Sequence, residues 1–400
     1  MTTTTYVAQT TVIDRTARTR VASIDLLRGL AMILMAIDHV RVYSGVPAGG
    51  PTPGVFFTRW VTHFCAPAFI FLAGTSALFY GRRHANLSQF LLTRGLWLIV
   101  LEFTVLRLAW TFNLDFRHYE MAGVIWVIGI CMVLMAGLVK LPLKALAAFG
   151  LIVIAGHNLV DSRLVSWTEH LNEHAASGLW KLLYVGFYAG PVQLGSLHLF
   201  VLYSIIPWIG VMAAGYAFGK ILTFEPERRR KLCLLIGFSA IGLFVLLRGF
   251  NLYGDPFPWQ HGRMPAPLAF LNTTKYPASL CFLLMTLGPA IASIPLLESA
   301  SGAASRFVNV FGRVPFFYYV LHIPLIHALA LLVSKLRFGY VNPWLFTNHP
   351  MGNPRPPAGY TWDLWLLYLV WAIAIALLYL PCRRFAELKA RRTEWWLRYL

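Results

Sequence analysis

Acidic side chains are what this sequence has least of. Across 400 residues only 16 Asp and Glu stand against 34 Lys and Arg, and charged residues of both signs make up 12% of the chain. A soluble domain is about half apolar and roughly a quarter charged. At 58% hydrophobic, with a mean hydropathy of +0.62, this chain is read as lipid-embedded. The five cysteines, Cys65, Cys131, Cys233, Cys281 and Cys382, are scattered singly with no CxxC pair. Neither a disulfide framework nor a zinc site is therefore expected, and no metal is expected at all. The chain also lacks GxGxxG, Walker A, HExxH and GxSxG patterns, which excludes the soluble-enzyme chemistries those motifs announce. No internal repeat and no soluble second domain are visible. No small-residue cleavage site follows the first apolar run, so that run is expected to be retained.

Long apolar runs are abundant. Crossing about 30 Å of hydrocarbon takes about 20 residues of helix, and ten such runs are present: Ile24 to Tyr43, Trp60 to Tyr80, Leu91 to Phe112, Gly123 to Val139, Ala145 to Val160, Leu199 to Gly219, Leu232 to Phe250, Pro277 to Leu297, Val314 to Leu336 and Trp362 to Pro381. The expected fold is thus an all-α membrane bundle of about ten spans. The formal charge of +18 is assigned to orienting these spans and meeting anionic lipid, with no nucleic-acid partner. Lys and Arg cluster before span one and after spans two, four, six, eight and ten, as at Arg82 and Arg83 or Arg228 to Lys231. Cytoplasmic loops retain such clusters, so both chain ends are expected in the cytoplasm. The opposite loops, among them SGVPAGGPTPGVF and the stretches 161–198 and 338–361, are longer and richer in Gly, Pro and aromatics, as loops that cap a cavity are. The division expected is a polar tail over residues 1–23, a membrane domain over 24–381 and a basic amphipathic tail over 382–400 lying on the inner membrane face.

Ionisable groups inside spans are the functional leads, because a charge at mid-bilayer costs on the order of 2.5 to 3.5 kcal/mol on the lenient scale. Span one carries Asp25 and Arg28, three residues apart and able to pair, then Asp38 and His39 toward its other end. A carboxylate can set the tautomer and basicity of an imidazole, although neighbours on a helix point about 100° apart. Span three holds Glu102 and Arg107, readable as a structural ion pair or as a site. Span nine holds His322 and His327, whose spacing of five does not suit a shared metal. His157, His198, Arg248 and Lys275 complete the set, and Arg248, Asn251, Asp255, Trp259, Asn272 and Lys275 are expected to frame one outer loop. These residues alone describe a polar, histidine-bearing cavity in a helical bundle. They do not choose between an enzyme, a carrier of a small polar solute and a non-catalytic scaffold.

A resemblance separates these. RVASIDLLRGLAMILMAIDHVRVY, FCAPAFIFLAGTSA, LTRGLWLIVLEFTVLRLAWTFN, GVIWVIGICMVLMA, FLNTTKYPASLCFLLMTLGPA and GRVPFFYYVLHIPLIHALALL, in this order along nearly the whole chain, resemble a bacterial family of multi-pass membrane proteins. That family belongs with the catalytic domain of heparan-α-glucosaminide N-acetyltransferase. The resemblance implies acyl transfer across a bacterial inner membrane, from a cytoplasmic acetyl-CoA or other acyl-CoA to an amine or hydroxyl of a small molecule or glycan on the far side. The family chemistry uses a histidine in the outward loop after the first catalytic-domain span, and SGVPAGGPTPGVF holds none. His39 aligns with a polar Asn position of the characterised enzyme and His63 with the neighbourhood of an Asp. His39 or His63 is therefore the expected general base, with Asp38 to orient or charge-stabilise it, and Arg28, Arg107 or Lys275 to hold phosphates or the oxyanion. Asp25, Glu102, Arg248, Asn251, Asn272, His322 and His327 are the expected cavity residues. The expected partners are lipid, the acceptor and, as an option, a second copy of the chain.

Overall fold

The computed structural model describes residues 22–50, 52–160, 176–260, 264–351, 354–392 and 394–398. The polar N-terminal tail to residue 21, and the stretch 161–175 of one long loop, lie outside them. Among the described residues eight helices are long and apolar enough to cross a membrane, and the fold is an all-α membrane bundle with one small sheet.

In chain order the main elements are α1 (Ala22–Ser44), α2 (Pro53–Gly81), α3 (Leu87–Thr111), β1 (Tyr119–Ala122), α4 (Val124–Leu138) and α5 (Leu143–Val160). There follow β2 (Val192–Leu194), β3 (Leu197–Val201), α6 (Ile205–Thr223), α7 (Pro226–Gly249), α8 (Leu280–Ser299), α9 (Ala303–Arg313), α10 (Pro315–Phe338) and α11 (Leu364–Arg391). Each of the ten apolar runs coincides with a helix. Of the ten helices that match these runs, two stand outside the eight: α4 is short, and α1 carries Asp25, Arg28, Asp38 and Arg41. Helix α1 is admitted by its surroundings, since α2, α8, α9, α10 and α11 all pack against it.

Several boundaries differ from the sequence reading for local reasons. The run beginning at Leu199 starts as strand: β3 pairs parallel with β1 and antiparallel with β2, and helix begins only at Ile205. Pro207 sits in the first turn of α6, where its missing N–H costs nothing but blocks extension backwards. Helix α2 begins at Pro53 rather than Trp60, with proline at its first position, so the end of the SGVPAGGPTPGVF loop and Arg59 are helical. Helix α11 runs through Pro381 to Arg391 instead of ending there. Cys382, Phe385 and Ala386 are buried beyond that proline, and this packing keeps the tail continuous with the span. The segment between spans eight and nine, read as a loop, forms α9.

Several helix pairs approach at backbone distance, among them α2 with α6 and α9 with α1. A Cβ on Gly74 of α2 would meet the Met212 carbonyl of α6, and one on Gly215 of α6 would meet the Phe71 carbonyl of α2. Gly312, at the end of α9, likewise leaves no room for a Cβ beside the Asp25 carbonyl of α1. Small residues let membrane helices approach where dispersion and hydrogen bonding replace the hydrophobic effect, and Thr75 Oγ1 donates to the Gly215 carbonyl across the first contact at 2.9 Å. Gly215→Val is therefore expected to destabilise by about 1 to 3 kcal/mol through overpacking, read as a lower thermal midpoint in detergent, whereas the same change at Gly137, which has open space, leaves that midpoint unchanged.

Candidate functional site

Among the described residues, two of the cavities in the bundle bear on function. The larger, about 780 Å³, is lined by Asp38, His39 and Arg41 from α1, Arg59 and His63 from α2, Glu102 and Trp110 from α3, the segment around Asn272, Lys275 and Tyr276, Tyr319 from α10, and Trp344, His349 and Arg355. The smaller, about 350 Å³, is lined by Arg28, Arg94, Arg313 and Lys389 among apolar side chains such as Phe69, Ile128 and Phe316. Val124 and Tyr319 line both. The smaller pocket gathers residues next to the Arg- and Lys-rich connections, and the larger one gathers the long Gly- and Pro-rich loops. The two volumes fall within, or close to, the range of small-molecule sites.

The polar wall of the large chamber is organised around Asp38. Its carboxylate accepts from Arg41 Nε at 2.7 Å and from Arg59 Nη1 at 2.5 Å, and Arg59 Nη2 reaches the Tyr276 hydroxyl at 3.4 Å. Asp38 is thus hydrogen-bonded by two guanidiniums and not by the imidazole next to it, which corrects the orienting half of its expected role and leaves the charge-stabilising half. His39 instead meets His322: His39 Nδ1 lies 2.6 Å from His322 Nε2, and the Trp110 ring stands edge-on to His39 at 4.8 Å between centroids. His63 is buried against Phe282, and its Nδ1 has no hydrogen-bond partner among the described residues. Tyr276, outside the spans, has its phenol pulled down to about 8: burial opposes ionisation, and the neighbouring Lys275 and Arg59 charges outweigh it.

Other sequence candidates are spread through the bundle. Glu102 and Arg107 are not an ion pair. Glu102 accepts from the backbone N–H groups of Gly123 and Trp126, both at 3.1 Å, so a carboxylate from α3 closes the N-terminus of α4, where four N–H groups lack helical partners. Glu102 Oε1 occupies the place a Cβ on Gly123 would take, so a larger residue there would have to displace this carboxylate from the helix end. Arg107 is held by Thr111, by Asn113 at 2.8 Å and by the Asp115 carbonyl at 2.7 Å, and Glu120 lies 4.0 Å away. Arg248 donates to the carbonyls of Phe257, Ala269, Phe270 and Asn272 and lies 3.4 Å from Asp255, and Asn251 accepts from Trp259 N. Of the residues expected to frame that outer loop, Asn272 and Lys275 line the chamber, joined by Thr273 and Tyr276. His327 sits between the Ala109 and Leu345 carbonyls, its ring stacked on Tyr43 and Phe112. Asp25 lies 3.6 Å from Arg28. The three cations expected to serve one ligand are therefore apart: Arg28 in the small pocket, Lys275 in the chamber and Arg107 in its own polar knot.

Arg59, Tyr276, Tyr319, Trp344 and His349 were not singled out by sequence reading. Arg59 falls one residue before the expected start of its span, and its nearness to the Trp60–His63 turn was the available signal. The aromatics had none, since buried aromatics abound in any bundle.

The architecture is that of a multi-pass membrane protein with one chemically equipped chamber and one basic pocket. The family model for heparan-alpha-glucosaminide N-acetyltransferase, catalytic, matches residues 20–251. The chain belongs to this family, a family of membrane acetyltransferases. The match covers α1 to α7, so the conclusion holds Asp38, His39, Arg59, His63 and Glu102 within the shared region and leaves Lys275, Tyr319 and His322 beyond it. No curated protein aligns significantly with the chain.

In β1, next to the chamber-lining Met121, burial pushes the Glu120 carboxyl up to about 7, against the opposing pull of the nearby Arg107. Between its ordinary value of 4.5 and about 7, the folded chain then holds a proton that the unfolded chain has lost, so stability falls as pH rises through that window. Glu120→Gln is expected to flatten the decline in thermal midpoint between pH 5 and pH 7.5; an unchanged pH profile would contradict it.

Proposed function

We propose that this protein transfers an acyl group from an acyl-CoA held in the small basic pocket to an amine or hydroxyl, on a sugar or glycan, held in the large chamber. The observation that carries the reading is that cavities from opposite ends of one bundle share Val124 and Tyr319 as their common wall. A long donor with an anionic head and a slender thioester arm suits this layout: Arg28, Arg94, Arg313 and Lys389 meet the phosphates, and the arm follows the apolar wall toward Tyr319. Excess Lys and Arg on the connections at that end support a cytoplasmic side for it and for both chain termini, in this reading at the inner membrane of a bacterium. The aromatic and cationic chamber, with Trp110, Trp344, Lys275 and Arg59, then faces the far side.

In this reading His39 is the base. The acceptor nitrogen or oxygen attacks the thioester carbonyl, the new C–N or C–O bond forms and His39 takes the acceptor's proton. The C–S bond breaks, and the proton passes to the thiolate as free CoA. A positioned base contributes typically about 10² to 10⁴ in rate. Lys275 and Arg59 supply positive charge where the carbonyl oxygen becomes an oxyanion, while Asp38 fixes Arg59. His63 is the second candidate base. A carrier of a polar solute is the competing reading, which thioester consumption excludes.

Binding of acyl-CoA at about 100 times its dissociation constant stabilises a folded protein by about 2.7 kcal/mol, so acyl-CoA is expected to raise the thermal midpoint of the purified protein. Arg94→Ala with Arg313→Ala weakens that binding by about 10- to 100-fold, the loss of one or two charge-assisted hydrogen bonds. His39→Ala leaves it within twofold and lowers acyl transfer in reconstituted vesicles by at least about 10²-fold. Full transfer by both His39→Ala and His63→Ala contradicts the mechanism, and uptake of an unmodified solute with no thioester consumed contradicts the function.

A further inference from the structure

The pairing of His39 with His322 fixes where protons sit, and this deepens the reading just given. His322 is wholly buried, and its Nδ1 faces the carbonyl oxygens of Tyr319 at 2.7 Å and Tyr318 at 3.2 Å. A carbonyl only accepts, so Nδ1 carries the His322 proton. A neutral imidazole has a single N–H, and Nε2 of His322 is then a lone pair. That lone pair meets His39 Nδ1 at 2.6 Å, which requires the proton of this contact to belong to His39. The second nitrogen of His39, Nε2, is left as an acceptor on the ring that lines the chamber.

The opposite arrangement, with His322 donating from Nε2, needs a second proton on that ring. Among the described residues no carboxylate hydrogen-bonds to either imidazole. Asp38, the carboxylate adjacent in sequence, is occupied by Arg41 and Arg59, and the groups facing His322 are the rings of Tyr318 and Tyr319 and their carbonyls. Polarity in the chain from Tyr319 to His322 to His39 thus runs one way.

We propose that His322 is the positioning residue for His39. It locks the Nδ1–H tautomer, aims Nε2 at the acceptor, and takes a stronger hydrogen bond from Nδ1–H when Nε2 gains the acceptor's proton. Its role parallels that of the orienting partner in a nucleophile–histidine–carboxylate triad, with a neutral imidazole in the carboxylate's place. The proton that His39 gains leaves by the same nitrogen to the departing thiolate, so His322 never changes its own protonation.

The test uses full-length protein in lipid nanodiscs with ¹⁵N-labelled histidine, the His39 signals being assigned by their loss in His39→Gln. The wild type is expected to show His39 protonated on Nδ1 and unprotonated on Nε2. His322→Leu, which has no acceptor, is expected to give a mixture of tautomers, and His322→Gln, whose Oε1 can accept, to restore the single one. Wild-type His39 protonated on Nε2 overturns the proposal. In acyl transfer, His322→Leu is expected to lower kcat at least about 10-fold with KM for acyl-CoA within twofold, and His322→Gln to recover most of the loss. His322→Leu turning over at the wild-type rate also overturns it. The tautomer needs no turnover to be read, so a protein that transfers no acyl group fails the functional reading while the positioning role is still decided by the spectrum.

Discussion

A helix that carries two aspartates, two arginines and a histidine can lie in a membrane only if protein surrounds it. Helix α1 meets that condition by packing against five others, and most of the arrangement follows from its polar side chains. At one end Arg28 is tied to Asp25, Ser76 and the Leu72 carbonyl. At the other, Asp38 binds Arg41 and Arg59 while His39 turns to α10 and His322. Each polar group needs a partner, because an unsatisfied one in lipid costs several kcal/mol. Those partners come from α2 and α10, which are thereby drawn around α1, and the space left at each end is the pair of cavities.

The two ends differ in chemistry as well as in shape. The small pocket has four basic side chains set in an apolar wall, while the chamber mixes opposed charges, imidazoles and indoles. Glu102 and Gly123 stabilise the dividing layer, since their contact fixes the start of α4 immediately before Val124. A buried carboxylate bound to a helix N-terminus thus satisfies the Gly123 and Trp126 amides at that layer.

The bundle was legible in the sequence because lipid imposes a length and a composition that residues state directly: all ten apolar runs became helices. Hydropathy alone did not separate Leu199 to Val201 from the helix after it, since a short apolar run reads the same in either state, and the deciding contact is with Tyr119–Ala122 far back in the chain. The site was legible by residue type but not by partnership. Asp38, His39, His63, Lys275 and Asn272 do converge, as buried polar groups in lipid must find shared polar surroundings. That Asp38 serves Arg59, and that His39 pairs with a residue 283 positions away, depends on how helices rotate against one another, which spacing along one helix does not contain. Glu102 and Arg107 show the same limit: five residues apart on one helix, they serve different neighbours.

The central claim is that the bundle is open from two sides toward one thin wall at Val124 and Tyr319. Because the five native cysteines are all buried, single cysteines placed at Ala48 in the chamber and at Ala73 in the basic pocket report access directly. In sealed vesicles of one orientation, a membrane-impermeant maleimide should label Ala48→Cys only from the face of the long loops and Ala73→Cys only from the face of the Arg- and Lys-rich connections, with CoA protecting the second and not the first. Labelling of both from the same face would contradict the account.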